Sequence, residues 1–108
     1  MSKIADRAAR KFLQGQPFSS GNTRVVVSEN QVELTLHGNT IAWRRPPIHG
    51  QSFFICMQGW PTVTTRDRLN ALPQVWLRQK QHAQFLDDQE IGPYETIFIN
   101  NSSTGAWQ

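Results

Sequence analysis

The sequence predicts an α+β fold: an antiparallel sheet of four to six strands, with an N-terminal helix and a short second helix packed on one face. Three observations predict it. Gln31 to His37 alternates apolar with polar side chains and runs into Gly38-Asn39, which is hairpin chemistry. Apolar residues recur at three- and four-residue spacing over residues 3–14, the period of an amphipathic helix. A threonine-led stretch stopped by Pro73 reads as the second helix.

In the first helix Ile4, Ala5, Ala8, Ala9, Phe12 and Leu13 make the apolar stripe, and Lys3, Arg7, Arg10 and Lys11 lie opposite. Gly15 and Pro17 end it. Residues 15–23 read as a loop with Phe18 tucked under as an anchor. Thr23 to Ser28 is a strand, turning at Glu29-Asn30, with Val25 and Val27 beside Leu34 and Val32 and with Arg24 and Val26 outside.

For the next strand pair, a two-residue type II′ turn at Gly38-Asn39 sets Leu36 opposite Ile41, Leu34 opposite Trp43 and Glu33 opposite Arg44. That register hides Trp43 and turns Arg44 outward, paired with Glu33. Pro46-Pro47 breaks the sheet after this pair. Ser52 to Gln58 is apolar without alternation, the pattern of a strand covered on both faces. Thr64 or Thr65 caps the second helix, with Asp67 in its first turn. Residues 74–86 fit either a hairpin around Lys80-Gln81 or one helix, and the hairpin is preferred. Tyr94 to Asn100 is the last strand. Residues 1–100 thus form one domain and 101–108 a polar tail.

Length and composition bound the function. The chain has 108 residues, 38% hydrophobic and 10% aromatic, which suits one modest core. The longest apolar run, Phe53 to Met57, is too short to span a bilayer, so no membrane partner is expected. The charged N-terminus offers no secretory signal core. Cys56 is the single cysteine, which excludes an intramolecular disulfide and a cysteine-rich zinc site. All eleven Lys and Arg fall in residues 1–80 with four acids, a balance of +7; residues 81–108 hold four acids and no Lys or Arg. A basic body with an acidic end suits a polyanion, or neutralises itself on folding.

Two phrases carry a resemblance: Leu36-His37-Gly38-Asn39-Thr40-Ile41-Ala42, and Gly59-Trp60-Pro61-Thr62-Val63-Thr64-Thr65-Arg66-Asp67-Arg68-Leu69-Asn70. With Phe12 to Phe18 ahead of them, they resemble small proteins encoded by tailed bacteriophages. The similarity covers roughly residues 5–72. It implies a phage origin and action in the host bacterial cytoplasm, and it brings no catalytic residue.

Candidate site residues follow from charge and capping. Arg24 and Arg44 on one sheet face are placed to meet phosphates or a partner's carboxylates, unless Arg44 simply pairs with Glu33. Trp60, Thr65, Arg66 and Arg68 sit at a helix N-terminus, where backbone N–H groups favour anions, although threonines at such a place cap helices in most proteins. Lys3, Arg7, Arg10 and Lys11 form a second basic surface, or merely a solvated helix face. Asp87-Asp88-x-Glu90 lacks companion ligands, and His37, His49 and His82 lack the spacing of a zinc helix. No catalytic residue, metal or cofactor is expected. Two functions remain: a non-enzymatic protein that binds and blocks a host protein or defence complex, or a binder of nucleic acid or a nucleotide signal through surface arginines.

Overall fold

A computed structural model describes residues 3–45 and 52–100. Among these, the elements are α1 (Lys3–Gln14), β1 (Phe18–Ser20), β2 (Thr23–Val27), β3 (Val32–Leu36), β4 (Asn39–Arg44), β5 (Phe53–Ile55), α2 (Val63–Asn70), β6 (Leu77–Lys80), β7 (Ala83–Leu86), β8 (Gln89–Ile91) and β9 (Ile97–Ile99). The antiparallel order β1-β2-β3-β4-β5-β9 makes a six-stranded sheet, and β6-β7-β8 makes a second, smaller one. The expected α+β class and its N-terminal helix hold. The Pro46-Pro47 break and the 101–108 tail lie outside the described residues.

α1 buries Ala5, Ala8, Ala9 and Phe12 on the large sheet, and small alanines let the helix sit close. Its end is a Schellman motif: Gln16 N–H donates to the Lys11 carbonyl at 2.9 Å and Gly15 N–H to Phe12 at 3.3 Å, with Gly15 at φ +70°. The ring of Phe12 meets Phe53 edge-on at 5.8 Å in the middle of the core. α2 packs beside α1 on the same sheet face, with Leu69 buried in that core. The opposite face carries no described helix.

Three expectations about the sheet are corrected. The turn between β3 and β4 is His37-Gly38, both at positive φ (53° and 81°), a type I′ pair whose twist matches the flanking strands. A bulge then admits Ile41 as an extra residue, because Thr35 faces Thr40 while Leu34 faces Ala42. Beyond the bulge the register is one residue from the expected one, and one residue reverses the faces of β4. Ala42 and Arg44 therefore point into the core, and Trp43 points out, opposite Glu33. Phe53 and Ile55 are buried, but Phe54 is exposed, so β5 is covered on one face only.

At the other end of the chain, the preferred hairpin at 74–86 forms, turning at Gln81-His82. Two strands were not expected: β1, inside the predicted loop, and β8, which follows the Asp87-Asp88 turn and completes the second sheet. The last strand is shorter than Tyr94–Asn100. The cap of α2 is Thr62, whose hydroxyl accepts Thr65 N–H at 3.1 Å, so Thr64 and Thr65 lie inside the helix and Asp67 falls beyond its first turn. Asn70 ties α2 to the second sheet, accepting Leu77 N–H at 2.6 Å and donating to the Leu77 carbonyl at 2.9 Å.

Candidate functional site

The face of the large sheet opposite α1 and α2 carries one continuous cross-strand row. Val26 is opposite Glu33, Glu33 opposite Trp43, Trp43 opposite Phe54, and Phe54 opposite Phe98. Five neighbouring strands at about 4.8 Å spacing make this row roughly 19 Å long. Its aromatic half is contiguous: Trp43 and Phe54 stack with centroids 5.8 Å apart, and Phe54 meets Phe98 at 5.2 Å. Phe98 is 55% exposed, Val26 45% and Phe54 38%, while Trp43 is half-buried beneath its neighbours.

The register produces this surface. Had Trp43 pointed inward, the row would break at β4. Glu33, the row's one acid, is occupied by the Thr40 hydroxyl at 2.7 Å. Arg24 and Arg45 are exposed at the flanks, Arg24 opposite Thr35 on β3. The result is an apolar ridge with sparse positive charge at its margins.

The predicted arginine cluster does not assemble. Arg24 is on the outer face as expected, but Arg44 is buried beneath α1, its Nη1 donating to the carbonyls of Phe12 at 3.3 Å and Leu13 at 3.4 Å. Burial lowers the pKa of its guanidinium below the ordinary arginine value. Its expected pairing with Glu33 is absent because the two side chains occupy opposite faces. Arg66 donates to the carbonyl of Pro61 and to the side chains of Gln79 and Gln84, bridging α2 to the second sheet. Arg68 donates to the Thr23 hydroxyl at 2.9 Å and pairs with Asp67 at 2.6 Å.

Thr65 is buried inside α2 and shares a hydrogen bond with the hydroxyl of the cap residue Thr62 at 3.0 Å, so its side chain is turned to the cap. Trp60 is exposed on the turn before α2. Lys3, Arg7 and Arg10 are exposed on the outer side of α1, and Lys11 bonds Gln16 at 3.0 Å. That basic stripe faces away from the sheet and does not join Arg24. Among the described residues no group of three His, Cys, Asp or Glu is placed to hold a metal, and no helix is long and apolar enough to cross a membrane. Cys56 is buried.

The family model for the Kyanoviridae Gp96 protein matches residues 1–105. The chain belongs to the Kyanoviridae Gp96 protein family. It is therefore a small phage protein, and the family extends past residue 72, where the resemblance seen in the sequence stopped. No curated protein and no solved structure matches it. The row on the outer sheet face was missed in the sequence because a two-residue turn without the bulge at Ile41 assigns Trp43 to the core. The signal that finds it is the outward parity of Phe54 and Phe98, which flank buried residues at 53, 55 and 99.

Proposed function

We propose that this Kyanoviridae Gp96 family protein is a non-enzymatic binding module that docks on a host protein in the bacterial cytoplasm and blocks the surface it covers. The observation that carries this reading is the Trp43–Phe54–Phe98 ridge on the sheet face opposite α1 and α2. Contiguous exposed apolar surface is unfavourable in water and marks interaction sites. Trp and Phe at the centre with charge at the margin is also the composition of a protein interface, where aromatic anchors contribute most of the binding energy. Arg24 and Arg45 supply such a margin, suited to acidic side chains of the partner.

A phosphate-rich ligand has less support. Arg44, Arg66 and Arg68 already donate to groups within the fold, and a net charge of +3 is small for a polyanion binder. Trp43 and Phe54 also stack on one another, which occupies ring surface that a base would need.

The test compares the native protein with a Phe54→Ser/Phe98→Ser variant as bait in nuclease-treated host lysate, after circular dichroism shows that both fold. A host protein recovered in stoichiometric amount by the native bait and lost with the variant is the expected result. Recovery of no such protein, or equal recovery by both baits, overturns the reading. Retention of single-stranded nucleic acid at about 50 mM salt, lost in the Arg24→Ala variant, would transfer the surface to the phosphate-rich class.

A further inference from the structure

A second feature lies on the helix side of the large sheet, away from the aromatic ridge. A half-open cavity of about 500 Å³ separates the β3–β4 turn from the start of α2. Its floor is Leu36, Ile41 and Met57, side chains otherwise almost wholly buried, so the cavity reaches the edge of the core. Ligand sites occupy roughly 300–1,000 Å³ and combine apolar walls with a few polar groups.

The lip is Trp60, which is 60% exposed on a turn that holds it there. Trp60 N–H donates to the Met57 carbonyl at 3.0 Å, Thr62 N–H to Trp60 at 2.7 Å, and Gly59 N–H to Pro93 at 2.8 Å. The backbone on both sides of the indole is therefore fixed, and an exposed ring on such a turn beside an apolar floor offers a stacking surface. On the helix wall, the hydroxyls of Thr62 and Thr65 bond each other, which leaves Thr64 as that wall's polar group.

Among the described residues, no Lys, Arg, Asp or Glu lines the cavity. The nearby arginines are turned elsewhere, Arg66 to Gln79 and Gln84 and Arg68 to Asp67. His37, on the opposite rim, receives the amide of Asn22 at Nε2 (3.1 Å), since the Asn22 oxygen already accepts the Thr23 hydroxyl. Neither an anion nor a cation would find a charged partner here.

We propose that this cavity is a binding site for an uncharged, planar, largely apolar small molecule that stacks on Trp60. Its volume exceeds that of a single aromatic side chain, which favours a free ligand over an anchor residue from a partner. The site is independent of the sheet-face reading and stands or falls separately from it.

The test titrates the full chain with neutral N-phenylnaphthylamine and, in parallel, with anionic anilinonaphthalene sulfonate, following the Met57 methyl resonance. A saturable shift with the neutral probe, and weaker binding of the anion, is expected. Trp60→Ala should weaken the neutral probe about three- to tenfold, the size of a lost ring contact. Thr64→Trp should fill the cavity and abolish the shift, while Phe98→Ser on the sheet face should leave it unchanged. A Met57 resonance that stays still, tighter binding of the anion, or full affinity in Trp60→Ala overturns the proposal. Because Trp60 is exposed, its variant keeps the test decisive if Thr64→Trp misfolds.

Discussion

The guanidinium of Arg44 donates to the main-chain carbonyl of Phe12 at 3.3 Å, joining the last residue of β4 to the last turn of α1 across 32 positions of sequence. A second bond from the same nitrogen reaches Leu13 at 3.4 Å. The C-terminal carbonyls of a helix lack intrahelical donors and carry the negative end of its dipole. A cation from the neighbouring strand answers both needs. It also ties the helix to the sheet at the point where the Schellman turn sends the chain toward β1.

Arg44→Ala should therefore cost about 1.5–3 kcal/mol, the range for hydrogen bonds made by a charged group. Arg24→Ala, at an exposed position, should stay within about 0.5 kcal/mol of the native chain. Urea unfolding of both variants checks the contrast. Equal midpoints would mean that the Arg44 bonds add nothing to the fold.

Gly59 offers a backbone prediction. It sits at φ +78°, and a Cβ there would fall 2.4 Å from the ring of Tyr94. Tyr94 is 74% exposed, so its ring can swing away and the steric cost is small. The left-handed backbone remains, at about 1–2 kcal/mol for an L-residue with a side chain. Gly59→Ala should lower stability by that amount, and adding Tyr94→Ala should restore little of it. Full recovery in the double variant, measured by thermal melting, would move the cost from the backbone to the ring.

How much of this was legible in the sequence depends on the range of the cause. The apolar stripe of α1, the pairing of Val25 with Leu34 and the hairpin at 74–86 follow from local periodicity and turn residues, and each appears in the fold. The inward turn of Arg44 does not, because it needs the bulge at Ile41 and is answered by helix-end carbonyls 31 and 32 residues upstream. β1 and β8 are three-residue strands whose pairing is supplied by neighbours, so neither has a pattern of its own. The aromatic ridge lay between these cases. Phe54 and Phe98 have readable parity, but Trp43 joins them only if the bulge at Ile41 is known.

Asn70 gives a test of how the two sheets depend on one another. Its side chain completes both main-chain groups of Leu77, the first residue of β6, at 2.6 and 2.9 Å. Asn70→Ala leaves those groups without their partner at a half-buried site, which should cost about 1–3 kcal/mol. The loss should appear as faster amide exchange in β6 and β7 while β2 and β3 keep their protection. Uniform loss across both sheets would show that they open as one unit.

The turn at His37-Gly38 sets the start of the β3–β4 register, the bulge at Ile41 then turns Trp43 outward, and one substitution tests where the chain turns. In a type I′ turn both central residues have positive φ, and Asn-Gly is the favoured pair. His37 holds that conformation at φ 53° without the preference asparagine has for it. His37→Asn should therefore stabilise the protein by a few tenths to about 1 kcal/mol, net of the exposed contact between His37 and Asn22 at 3.1 Å. If the turn were Gly38-Asn39, position 37 would be an ordinary strand residue and asparagine, a poor strand former, would lower stability instead. A lowered melting temperature in His37→Asn would thus move the turn to Gly38-Asn39. A raised one keeps the turn at His37-Gly38, from which the bulge at Ile41 carries Trp43 to the face it shares with Phe54.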